Sequence, residues 1–183
     1  MPPNTYVVLD IPSPYSELVL ALRERQFDPL RYSLPAETSI SGSSGTGPIS
    51  IDEDSDYVVQ ILDRIAAETP PIRTSFGPIR RFPNSDVFYL SFVDERPFRE
   101  LHQRIAGSGL RFQASAFPFG PHCTVRTRTP ITDAEAQELM AARISGEFTL
   151  GTLSLYDLPE RPSPQQFATL LCLLHRARLT GRS

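Results

Sequence analysis

The run FGPHCTVRTR at residues 119–128 alternates polar and apolar side chains in the manner of a half-buried strand. Side chains two apart on a strand share a face, so His122, Thr124, Arg126 and Arg128 are expected to project together, with Cys123, Val125 and Thr127 turned the other way. Imidazole gains or loses a proton near neutral pH. A threonine hydroxyl can donate to an oxyanion, and guanidinium groups bind anions in a fork. These groups suit phosphate-ester chemistry without a metal. On spacing alone, a surface strand turning the same residues to water competes with that reading.

The chain around this strand reads as alternating strands and helices. Residues 5–11 (TYVVLDI) form a β-branched run closed by proline, and a helix is expected over 13–27. A second strand is expected over 32–41, running into GSSGTG at 42–47. A helix follows from about Ser55, with Val58, Ile61, Leu62 and Ile65 on one face. Strands are read at 72–82 and 86–93, and a helix over 95–106 carries Phe98, Leu101, His102 and Ile105 on one stripe. Thr132 and Glu135 form a capping-box pair at the start of another helix. Residues 147–158 and 166–179 read as the last strands, although periodicity alone also admits a helix for the latter. A strand–helix–strand unit thus occurs twice, which suggests an α+β protein of two similar lobes in one domain over 1–183.

Composition narrows the chemistry. All 18 basic residues are arginine, so lysine nucleophiles, Schiff bases and Walker A phosphate loops are excluded. A formal net charge of −3 disfavours nonspecific binding of long duplex nucleic acid. The two cysteines, Cys123 and Cys172, lie in apolar runs and read as buried thiols. No cysteine or histidine pair has metal-ligand spacing, so no metal and no cofactor is expected. The start MPPNTYVVLDIP lacks a charged region before a long apolar run, and no apolar segment approaches the roughly 18 residues of a membrane span. A cytoplasmic monomer without membrane contact is expected. His102 reads as a packed helix histidine, and His175 as part of a solvated edge beside Arg176 and Arg178.

PHCTV (121–125), preceded by VFYLSFV (87–93) and by the helix containing FRELHQRI (98–105), resembles the C-terminal half of the 2H phosphoesterases, the 2′-5′ RNA ligase-like and cyclic phosphodiesterase proteins. YVVLDIP (6–12) resembles their first strand. The resemblance implies two pseudo-symmetric lobes of antiparallel sheet with outer helices and a central cleft. It also implies two His-x-Thr/Ser motifs on facing strands, one histidine acting as general base and the other as general acid. His122 and Thr124 match the second motif. At the first, LPAETSISGSSG (34–45) has Ser39 in the hydroxyl position but Glu37 where the family has histidine. The resemblance therefore implies a cleft for a small phosphorylated ligand, a nucleotide or an RNA end. His122, Thr124, Glu37 and Ser39 would be catalytic, and Arg126 and Arg128 would bind substrate. The alternative is a degenerate member that binds a small ligand, or carries out other small-molecule chemistry, without phosphodiester turnover.

Overall fold

The computed structural model describes residues 1–28, 31, 34–127, 130–158 and 171–182. In chain order the elements are β1 (Thr5–Asp10), α1 (Tyr15–Arg25), β2 (Glu37–Ser41), α2 (Ser55–Glu68), β3 (Ile72–Arg81) and β4 (Phe88–Phe92). They continue as α3 (Arg96–Ala106), β5 (Cys123–Arg126), α4 (Asp133–Ala141), β6 (Glu147–Leu150), β7 (Thr152–Asp157) and β8 (Cys172–Arg178). Two four-stranded antiparallel sheets result, in the orders β2-β1-β7-β8 and β5-β4-β3-β6. This is the two-lobed α+β architecture expected from the sequence.

The lobes repeat each other in register as well as in order. In β1-α1-β2 and in β4-α3-β5, a strand and the edge strand of its sheet are joined through a helix. Each edge strand is also interrupted one residue after its hydroxyl residue. Val8 pairs with Ser39 but Val7 with Ser41, which leaves Ile40 as an extra residue in β2. Tyr89 pairs with Thr124 but Phe88 with Arg126, which leaves Val125 as an extra residue in β5. Such bulges reverse the facing of everything beyond them. Glu37-Thr38-Ser39 and His122-Cys123-Thr124 therefore occupy equivalent stretches ahead of equivalent bulges.

The run at 147–158, read as one strand, is two strands in different sheets. β6 pairs with β3 and β7 with β1, and the chain changes sheets at Gly151. The apolar alternation shifts phase there, from Phe148 and Leu150 to Leu153 and Leu155, a break that the reading as one strand passed over. The amphipathic helices follow their patterns more closely. Val58, Ile61, Leu62 and Ile65 of α2 are buried, as are Phe98, Leu101 and Ile105 of α3. Thr132 and Glu135 make the expected capping box on α4. Cys172 departs from expectation: it opens the edge strand β8 and is exposed, as are Leu173 and Leu174. No helix among the described residues is long and apolar enough to cross a membrane.

Phe98 is wholly buried against Phe92, with ring centroids 4.3 Å apart. Phe98→Ala leaves a cavity beneath α3 and is expected to lower the unfolding free energy by about 3–5 kcal/mol in urea titrations. A loss below about 1 kcal/mol would show that α3 does not pack there as described.

Candidate active site

The edge strands β2 and β5 approach each other between the lobes, and a cavity of about 720 Å³ opens beside them. Glu37 and Ser39 line it from β2, Thr124 from β5, and His122 from the residue before β5. Tyr6 and Val8 of β1 and Tyr156 of β7 face the same space, and Arg31 lies ahead of β2. The His122 Nδ1 lies 2.7 Å from the Gly120 carbonyl. A carbonyl can only accept, so Nδ1 carries the proton, and Nε2 is left without a hydrogen-bond partner among the described residues. Phe82 and Tyr89 hold the ring edge-on, at centroid distances of 5.1 and 5.5 Å. The Ser39 hydroxyl donates to Glu37 Oε2 at 3.2 Å. A hydroxyl has one proton, so in this arrangement Ser39 orients Glu37 and has none left for a ligand oxygen. The Thr124 hydroxyl makes no hydrogen bond to a described residue.

Arg126 and Arg128 were expected on the face of His122 and Thr124. Arg126 is not there. The bulge at Val125 turns it to the core side of β4, opposite wholly buried Phe88. Its Nη1 donates to the Gln26 carbonyl (3.1 Å) and its Nη2 to the Pro130 carbonyl (3.0 Å), in a separate hollow beside α1 and α4. Arg128 lies outside the described residues, as do residues 32 and 33 of the expected second strand and 166–170 of the expected last strand.

Two other arginines bear on the cavity, Arg31 in its lining and Arg23 buried behind it. Arg23, on the inner face of α1, is wholly buried. Its Nε donates to the Thr124 carbonyl (3.0 Å), and its Nη1 to the carbonyls of Arg31 (3.1 Å), Leu34 (2.8 Å) and Pro35 (3.0 Å). One guanidinium thus ties the approach to β2 to the backbone of β5. Arg31 lines the cavity, and its Nε is buried with no hydrogen-bond partner. Burial, and then the like charge of Arg23, push its pKa down, while Glu37 and Asp28 act against them. Nothing in the sequence singles out Arg23, because an arginine in a helix normally extends its head to water. Arg31 stands ahead of the strand, where alternation gives no facing.

The remaining candidates are structural. His102 Nδ1 donates to the Ile40 carbonyl at 2.7 Å, and its ring stacks on Phe119 at 4.0 Å. His175 Nε2 lies 2.7 Å from Asp63, away from the cavity. The GSSGTG loop borders the cavity through Ser43. Its Gly42 lies under the Tyr6 ring, where an added Cβ would stand 2.5 Å from a ring carbon. Asp10, across from Glu37, accepts from Ser154 at 2.7 Å, and burial raises its pKa. Among the described residues, no group of three or more His, Cys, Asp or Glu side chains is arranged to hold a metal ion.

This arrangement coincides with a known family. The sequence matches the 2′-5′ RNA ligase superfamily over residues 46–161, more than half its length, and the chain belongs to that superfamily. The match includes the His122 motif and begins after the Glu37 strand. Among solved structures, TT0787 of Thermus thermophilus is similar at a TM-score of 0.69 and 17% identity, over 98% of this chain and 99% of that one. LigT of E. coli complexed with 3′-AMP is similar at 0.62 and 19%, again over 98% and 99%. A phosphoesterase crystal structure is similar at 0.60 and 17%, with the same coverage. A search of curated proteins gives no match.

Two outcomes follow. Arg23→Met leaves buried carbonyls on both sides of the cavity unpaired and is expected to cost at least about 3 kcal/mol in urea; an unchanged midpoint would remove Arg23 from its bridging role. Burial pushes the Cys123 thiol up to about 11, against 9.0 in water. The stability from keeping this thiol neutral is complete below pH 9 and is lost as pH rises through about 11, because the unfolded chain ionises first. Cys123→Ala should flatten the fall over that window, and a profile as steep as the wild type's would show that other groups cause it.

Proposed function

We propose that the protein acts on a small phosphodiester, such as a 2′,3′-cyclic nucleotide or an RNA end, by metal-independent acid–base catalysis. The observation that carries this reading is the matched position of Glu37 and His122, each two residues ahead of a cavity-facing hydroxyl residue and three ahead of a bulge. Membership of the superfamily supports the reaction class. The LigT crystals with 3′-AMP and with phosphate support a small phosphorylated ligand.

Glu37 as a carboxylate takes a proton from water, and the water oxygen attacks phosphorus. The ester bond to the ribose oxygen breaks, and His122 Nε2 gives its proton to that leaving oxygen. The product is a phosphomonoester, with Glu37 protonated and His122 neutral; a proton returned from Glu37 to His122 through solvent restores the site. The Gly120 carbonyl holds Nδ1–H in both states of the ring. Thr124 donates to a non-bridging oxygen, and Ser39 fixes the Glu37 carboxyl group. A carboxylate 4 Å from a phosphate charge is repelled by about 4 kcal/mol at an effective dielectric of 20. The positive charge of Arg31 in the same wall offsets this.

A second reading, ligand binding without turnover, is favoured by the glutamate itself, since the family pattern has histidine there. Turnover of 2′,3′-cyclic nucleotides and of short 2′-5′ and 3′-5′ oligonucleotides, followed by chromatography, separates the two. His122→Ala and Glu37→Gln are each expected to lower turnover by about 10²–10⁴-fold with the fold retained, and activity should survive EDTA. Binding without turnover across the panel supports the second reading. Activity lost to EDTA and restored by a divalent ion contradicts the metal-independent step.

A further inference from the structure

The cavity wall contains a guanidinium whose hydrogen-bonding capacity the proton-transfer scheme does not use. The Arg31 guanidinium faces the cavity and makes no hydrogen bond or ion pair to a described residue, and its Nε is buried. Guanidinium does not shed its proton in proteins, so burial cannot be relieved by neutralisation as it can for lysine or histidine. Glu37 and Asp28 attract Arg31 from a distance, but its buried Nε is left without an acceptor, which is costly. Arg23, which could not be its counter-ion, adds a second positive charge nearby and is itself satisfied by carbonyls. The Arg31 and Thr124 carbonyls both accept from Arg23, at 3.1 and 3.0 Å. The two residues are thus held beside each other, one offering a guanidinium and the other a free hydroxyl.

We propose that Arg31 is the phosphate-gripping residue of this cavity, with the two non-bridging oxygens of a bound phosphate shared between its guanidinium and the Thr124 hydroxyl. This rests on the proposed function only for the choice of phosphate as the anion. Arg31 takes the substrate-binding part that the sequence assigned to Arg126. A bound phosphate supplies the hydrogen-bond acceptors that Arg31 lacks among the described residues.

The test uses inorganic phosphate, which needs no turnover, titrated into the full chain by calorimetry, with melting curves in phosphate-free buffer. Arg31→Met should weaken phosphate binding by about 10- to 100-fold, and Arg31→Lys should fall between it and the wild type. Phosphate should raise the wild-type Tm and leave that of Arg31→Met nearly unchanged. A wild type that does not bind phosphate overturns the proposal. So does Arg31→Met binding phosphate as tightly as the wild type, or gaining as much Tm from phosphate. If Arg31→Met loses phosphate while Glu37→Gln turns over normally, the grip stands and the proton-transfer scheme fails. If Arg31→Met binds normally while Glu37→Gln and His122→Ala lose turnover, the scheme stands and the grip fails.

Discussion

One buried guanidinium holds the two sides of the cavity together. Arg23 reaches from α1 to the backbone on either side, with Thr124 on β5 and Arg31, Leu34 and Pro35 ahead of β2. It forms no ion pair with a described carboxylate; main-chain carbonyls, with the Cys123 sulfur 3.9 Å from its Nη2, are its partners. That choice has a geometric consequence. A carboxylate partner would fix one side chain, whereas several carbonyls fix stretches of main chain, and those stretches carry Glu37, Ser39 and Thr124. Loss of Arg23 would leave buried acceptors on both lobes unsatisfied, a heavier cost than the loss of a surface pair.

The paired bulges have a complementary effect. In β2 and in β5 the polar face is kept for two alternating residues and then given up. Ser41 and Arg126, next in the alternation, turn inward; Ser41 donates to the Gly47 carbonyl, and Arg126 binds Gln26 and Pro130. Each lobe therefore offers the cavity one proton-transfer candidate and one hydroxyl residue. The lobes differ in what those residues do. The Ser39 hydroxyl is committed to Glu37, whereas that of Thr124 is free and His122 is held by a main-chain carbonyl. On the proposed reading, the Glu37 carboxyl group brings negative charge towards a bound phosphate, and the Arg31 guanidinium, which lines the same cavity, offsets it.

Much of this was legible because it rests on short-range periodicity. Alternation predicted that His122 and Thr124 would face one way and Cys123 the other, and it aligned Glu37 with Ser39. The stripes of α2 and α3 and the Thr132–Glu135 box needed only helical spacing. The failures share a cause. Nothing local marks Val125 as an extra residue, so Arg126 was read on the wrong face. Gly151 and Thr152 shift the apolar pattern by a single residue, from 148 and 150 to 153 and 155, a slip short enough that two strands in different sheets read as one. The burial of Arg23 depends on carbonyls from segments distant in sequence, and Cys172 is exposed because β8 is an edge strand, a fact of topology rather than of composition.

On this account Glu37 and His122 act as one proton-transfer pair across the cavity. A double-mutant cycle on turnover of a 2′,3′-cyclic nucleotide tests the pairing most directly, using Glu37→Gln, His122→Ala and both together. Groups that serve a single step are strongly non-additive, so the double variant should be about as slow as the slower single variant. Losses that multiply would mean that the two residues act independently, and would contradict the account.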